Sequence, residues 1–298
     1  MAEDGLNLDG LNNVSTVILA AGATTATISN LDSGGTVQFN DTNSAGTTTI
    51  AVDGAAFSAS DILNLTISNS GDVYVAATVV AANVETVNIT ANDKITADAD
   101  ITTLGSAAAI NTMTLTATAA KTITVSGNNG LTLGSAGGTA VTTFDASGVV
   151  ANDTVLTSIT DTSGALVVAT ATTDSAANLA VTFTSGNVTT TAAVAITGGA
   201  GNDTLTGAAA VDTITGGEGA DILNGGAGID SIILTETTAA IDKVTVAPNA
   251  GNDTITGFKV GAGGDQIILS EALIELDAAG TADTAWINID STSSDVAN

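Results

Sequence analysis

Four aspartates nine residues apart, Asp203, Asp212, Asp221 and Asp230, stand in a glycine-rich stretch that reads GGAGNDTLT, GAAAVDTIT, GGEGADILN and GGAGIDSII over residues 198–233. Three of these four nonapeptides fit GGxGxDxUx at every fixed position, U being a large aliphatic. Carboxylates and glycine carbonyls are hard oxygen donors, and the chemistry they suit is the holding of a hard cation. Calcium takes six to eight oxygens at roughly 2.3–2.6 Å, so a turn of carbonyls closed by one Asp supplies about half a shell. Two turns must then share one ion.

The spacing also says which turns. If two nonapeptides make one coil, turns on the same edge pair Asp203 with Asp221 and Asp212 with Asp230. Leu205, Ile214, Leu223 and Ile232 then point inward as a ladder between the edges. The expected ion-lining residues are Gly198, Gly199, Ala200, Gly201 and Asp203, then Asp212. The third repeat adds Gly216, Gly217, Glu218, Gly219 and Asp221, and the fourth Gly225, Gly226, Ala227, Gly228 and Asp230. Glycine lets such a turn visit φ > 0. Ala208 and Ala210 replace two of these glycines, and a non-glycine residue at positive φ costs on the order of 1 kcal/mol. The ion shared by Asp212 and Asp230 is therefore expected to be the weaker one.

Asp253, in GNDTIT, and Asp265, in VGAGGDQII, are further cation candidates. The insertion around Phe258 and Lys259 breaks the nine-residue period, so this pair is read as closing the repeat array. Asn-Asp pairs at 40, 92 and 152 are fainter echoes, and Asn and Asp favour turns before strands in any case.

The elements that must position these turns are short strands. Apolar runs recur upstream at 17, 37, 49, 62, 73, 84, 113, 122, 131, 165, 179 and 194, with alternation in Leu63, Leu65, Ile67 and in Ile123, Val125. Alternation marks half-buried strands, and no segment there has a convincing helical period. Nine residues before the aliphatic of the first repeat, Ile196 already occupies a ladder position, so the strand register runs into the repeats from upstream. The fold expected is all-β, a right-handed parallel β-solenoid (β-roll) with cation-binding turns; the alternative is a β-sandwich followed by a β-roll. The organisation expected is an irregular Thr/Ala/Val-rich β-strand region over 1–197, the β-roll and its closing segment over 198–270, and a C-terminal helix and tail over 271–298. SEALIEL, from Ser270, has the cap and apolar face of a short helix.

Composition closes off other chemistries. Among 298 residues, Lys+Arg 4 stand against Asp+Glu 31, a net charge of -27. No basic surface exists to neutralise phosphates, which argues against nucleic acid and anionic membranes as partners. The chain has no Cys and no His, which removes disulfides, Cys/His zinc sites and Ser-His-Asp triads. No apolar run is long enough for insertion into a bilayer as a helix. The acidic start MAEDGLNLDG is not a general secretory signal.

These nonapeptides are the signature by which RTX-type calcium-binding proteins are known, and the chain resembles that group. Residues 248–270 resemble the segment that follows the repeats there, and NVETVNIT and FDASGV resemble more narrowly the calcium-dependent surface-layer (S-layer) proteins. The resemblance implies calcium (Ca2+) as cofactor, type I secretion from a Gram-negative bacterium and an extracellular, cell-surface location. It implies a non-enzymatic structural protein that folds on calcium after export and self-assembles into a two-dimensional lattice. Its partners would be copies of itself, with a cell-surface glycan possible through a region not recognised in the sequence. An RTX adhesin or biofilm matrix protein is the alternative, and the non-catalytic part of an RTX enzyme a further one. An enzyme is disfavoured because the chain has no HExxH, no GxSxG and only Trp286, Tyr74 and five Phe for sugar stacking.

Overall fold

The computed structural model describes residues 5–11, 14–19, 25–40, 46–69, 76–93, 110–134, 140–151, 159–160, 166–167, 179–187, 190–246, 250–269 and 288–290. Among them there is no helix, and the strands run in chain order as β1 Leu6–Asn7, β2 Thr16–Leu19, β3 Ala26–Leu31, β4 Thr36–Asn40, β5 Thr47–Val52, β6 Ile62–Asn69, β7 Ala76–Ala81 and β8 Thr86–Asp93. Next come β9 Asn111–Thr116, β10 Thr122–Gly127, β11 Leu131–Gly134, β12 Thr143–Val149, β13 Ile159–Thr160, β14 Leu166–Val167, β15 Val181–Thr184 and β16 Ala195–Thr197. The last are β17 Thr204–Thr206, β18 Thr213–Thr215, β19 Ile222–Asn224, β20 Ser231–Ile233, β21 Lys243–Val246, β22 Thr254–Thr256, β23 Gln266–Leu269 and β24 Asn288–Asp290.

Strands alternate between two parallel sheets. One runs β1-β3-β5-β7-β9-β11-β15-β17-β19-β21-β23 and the other β2-β4-β6-β8-β10-β12-β16-β18-β20-β22-β24. Each coil thus contributes one strand to each sheet, which is a parallel β-solenoid. The β13-β14 pair is antiparallel and stands apart from both sheets. Both sheets cross residue 197 without a break, because β15 pairs with β17 and β16 with β18. An upstream antiparallel sandwich is not what forms. Short β-branched strands with small-residue turns leave that choice open locally, and parallel pairing between distant segments decides it.

The core is the thin layer between the sheets. Alternation along each strand sends Leu63, Leu65 and Ile67 inward on β6, and Ile123 and Val125 on β10, all buried. Full burial of one such aliphatic contributes about 1.5–3 kcal/mol. Phe144 on β12 and Phe183 on β15 stack across the layer with centroids 3.9 Å apart. In the nonapeptides the strands shrink to three residues and one inward aliphatic each, Leu205, Ile214, Leu223 and Ile232, all 0% exposed. So narrow a core leaves much of the stability of these coils to their turns.

The expected helix from Ser270 lies outside the described residues, as do the Asp of the Asn40 echo and the Asn-Asp pair at 152; of the expected helix-and-tail span only 288–290 are described, and they form strand β24 on β22. Asn92 and Asp93 end strand β8, paired with Ser68 and Asn69, and are not in a turn that precedes a strand.

Candidate metal-binding edges

Each strand of the repeat region is preceded by a tight turn that ends on an aspartate, and the strand pairing stacks these turns along two edges. β17 pairs with β19 so that Leu205 meets Leu223, and β18 with β20 so that Ile214 meets Ile232. Neighbouring strands lie about 4.8 Å apart, so aspartates in equivalent positions rise at about that interval. Asp203 and Asp221 therefore share one edge and Asp212 and Asp230 the other, as the spacing implies.

The carboxylates turn inward. Asp203, Asp212, Asp221, Asp230 and Asp253 are buried, the most exposed being Asp253 at 3%. In Asp221, Asp230 and Asp253, Oδ1 accepts the backbone N–H of the aspartate one coil before: Asp203 N donates to Asp221 at 2.8 Å, Asp212 N to Asp230 at 2.8 Å, and Asp230 N to Asp253 at 3.0 Å. The first edge continues through a residue that sequence reasoning missed. Asp221 N donates to Asp242 at 2.9 Å, and Asp242 N to Asp265 at 3.0 Å. Asp242 has the Asp-x-aliphatic signal of the repeats, in IDKV, but no glycine before it.

Asp253 and Asp265 therefore extend the two edges, and Asp253 does not close its own, whereas Asp265 precedes β23, the last strand of its sheet among the described residues. Their strands β22 and β23 pair in register with β20 and β21, and β24 follows on β22. Extra residues in the turns before Asp242 and Asp253 lengthen the coil without shifting strand register, because a solenoid absorbs insertions at its edges.

The turns differ in a way that bears on the alanines. Gly217, Gly219, Gly226 and Gly228 sit at φ +108°, +106°, +98° and +142°. The only non-glycine residues at positive φ among those described are Asn30 and Asn83. Ala208 and Ala210 thus carry no left-handed strain, and the premise for a weaker second ion does not hold. The reason lies in the stacking. A Cβ on Gly226 or Gly228 would strike the carbonyl oxygen of Ala208 or Ala210, and one on Gly217 or Gly219 that of Gly199 or Gly201. Glycine is needed in the turn that receives these carbonyls and is dispensable in the first turn of the second edge, which presents them.

The same difference decides which carboxylate oxygens remain available. In the first turns, Oδ2 of Asp203 accepts from Gly199 N at 2.7 Å and Oδ2 of Asp212 from Ala208 N at 2.6 Å. Oδ1 of these two residues also accepts, from Val181 N and Val194 N. In the receiving turns the glycine has turned over, and Oδ2 of Asp221 and Oδ2 of Asp230 are buried without a hydrogen-bond partner. A buried carboxylate oxygen left unpaired is costly.

Burial raises Asp203, Asp221, Asp230, Asp242 and Asp253 from the ordinary 3.8. It lifts Asp203 to about 7 against the backbone N–H donors of Val181 and Gly199. Asp221 rises to about 8, through burial and the charges of Asp203, Asp242 and Glu236. Asp230 and Asp242 reach about 6 by the same causes, burial foremost. Side chains alone do not build a cation site, since no three acids converge among the described residues. Carbonyl oxygens must complete the shell. The donors are hard oxygens throughout, and Asp221 and Asp230 each aim an unpaired one into a stack of glycine turns, so calcium fits.

Other predicted residues have structural roles in the same turns. Glu218 reaches forward to accept from Thr237 N at 2.7 Å and Thr238 N at 3.0 Å, tying its turn to the next one on that edge. Gly198, Gly216 and Gly225 lie against the carboxylates of Asp203, Asp221 and Asp230, where a Cβ would meet Oδ2. Ala200 N donates to Val149 O at 3.0 Å and Ala227 N to Ala208 O at 2.7 Å. The only ion pair among the described residues joins Lys259 to the buried Glu236 at 2.8 Å.

A family model for the RTX calcium-binding nonapeptide repeat matches residues 197–232 in four copies. These are the coils in which the two edges are most regular. No curated protein matches the chain.

Proposed function

We propose that this chain, an RTX-type calcium-binding β-solenoid, is a secreted structural protein that folds on calcium outside the cell and assembles with its own copies into a two-dimensional surface lattice. The observation that carries it is the pair of aspartate ladders. Buried carboxylates stacked at strand spacing oppose folding while they are ionised and unpaired, and the net charge of -27 adds self-repulsion. Asp221 and Asp230 would hold the ions through their unpaired oxygens, with the carbonyls of the stacked glycine turns and with Asp203 and Asp212 beneath them. Bound calcium neutralises the edges, and binding to the folded state alone stabilises by RT ln(1 + [L]/Kd). Extracellular calcium modules have Kd near 10⁻⁴–10⁻³ M, so such a chain stays open at cytosolic calcium and closes outside.

A structural role fits a molecule whose chemistry is concentrated in its own folding edges and which has neither His nor Cys. Partners by this account are further copies, with a surface glycan as a possible anchor and no nucleic acid or bilayer. An adhesin or matrix protein would share the calcium edges and lack the lattice. Negative-stain microscopy of the purified chain with millimolar calcium separates the two: periodic sheets support the lattice, and dispersed rods favour the adhesin.

A further inference from the structure

The aspartate clamp of the repeats has a counterpart far upstream. Asp61 and Glu85 occupy the position that Asp212 and Asp230 hold in the repeats, each directly before a strand of the same sheet, β6 and β8. Asp61 N donates to Glu85 Oε2 at 3.0 Å, and Thr86 N donates to Asp61 O at 3.0 Å. The repeats show the same two bonds, from Asp212 N to Asp230 Oδ1 at 2.8 Å and from Ser231 N to Asp212 O at 2.9 Å. A second likeness is independent of this bonding. Asp61 is 4% exposed and its Oδ2 is buried without a partner, so this pair also holds one buried, unpaired carboxylate oxygen, on its N–H-donating member where the repeat pair has it on the accepting Asp230.

We propose that Asp61 and Glu85 form a further calcium site, outside the nonapeptides, that joins the coil of β6 to the coil of β8. Two carboxylates offer up to four of the six to eight oxygens calcium takes, and carbonyls and water supply the balance. Neither acid is in an ion pair with a described lysine. The arrangement stops after one pair. In register, the position before Asp61 is Ser33, whose Oγ accepts the Ile62 N–H at 3.0 Å, and the one after Glu85 is Lys121, whose N–H donates to Glu85 O at 2.8 Å. One site is therefore expected here, where the repeats have a run.

The test counts bound calcium per full-length chain by equilibrium dialysis for the wild type, Asp61→Asn and Glu85→Gln. Calcium-induced hydrogen-exchange protection is read alongside over residues 62–69, 86–93 and 204–233. The expected result is one ion fewer in each variant, with protection lost over 62–69 and 86–93 and kept over 204–233. Glu85→Gln retains an oxygen for the Asp61 N–H, so it serves if Asp61→Asn does not fold. An unchanged ion count, or upstream strands that gain no protection from calcium in the wild type, overturns the site. Protection over 204–233 reports on the repeats separately.

Discussion

The backbone N–H of Asp203 donates to Oδ1 of Asp221, 2.8 Å away and one coil further on. The repeat aspartate is thus a structural clamp before it is a ligand: one oxygen holds the preceding coil, and in Asp221 and Asp230 the other stays unpaired in a buried turn. Folding and cation binding draw on the same side chain.

The clamp is open to test at Asp242, where no glycine turn complicates the result. Asp242→Ala leaves the Asp221 N–H buried without its acceptor, a loss of about 1–3 kcal/mol. Asp242→Asn keeps an oxygen there and should cost much less. Urea unfolding in saturating calcium compares them, and equal losses would remove the clamp from the account.

Glycine turns on the two sides of a stack should respond oppositely. Gly226→Ala puts a Cβ at φ +98° against the Ala208 carbonyl and is expected to cost well over the ~1–2 kcal/mol of left-handed strain alone. Ala208→Gly relieves no strain and should destabilise slightly, by about 0.4–1 kcal/mol, through the freer unfolded chain. Thermal unfolding in calcium decides this; a stabilising Ala208→Gly would restore the view that Ala208 is the strained residue.

The nonapeptides of residues 198–233 are legible in the sequence because their period is a geometric statement. Nine residues per half-coil fixes the partnership of Asp203 with Asp221 and sends Leu205 and Ile214 inward, and the structure has both. Ala208 departs from the expectation because four turns of one pattern are not equivalent: each edge has a first turn that gives carbonyls and a second that receives them. Asp242, Asp253 and Asp265 escape the nine-residue period because their turns have insertions, which break a sequence period but not strand register. Asp61 and Glu85 lie in coils of uneven length with no period at all. The Phe144–Phe183 stack joins strands whose pairing no local pattern announces.

Acidity should substitute in part for calcium. Asp203, Asp221, Asp230 and Asp242 are raised above 3.8, to between about 6 and about 8. Between those values the folded chain binds more protons than the unfolded chain, so stability of the calcium-free protein falls as pH rises from about 4 to about 8. In chelator, the melting temperature should be higher at pH 5.5 than at pH 8, and saturating calcium should flatten the difference. A calcium-free melting temperature that rises with pH over this range would contradict the burial of ionisable edges.

The most direct test of calcium-coupled folding is a calcium titration of the purified chain at pH 7.5, followed by far-UV circular dichroism with magnesium as control. Calcium-coupled folding should give a cooperative gain of β-structure between roughly 10⁻⁴ and 10⁻³ M calcium, its loss on chelation, and little response to magnesium. The same β spectrum with chelator and with calcium would contradict it.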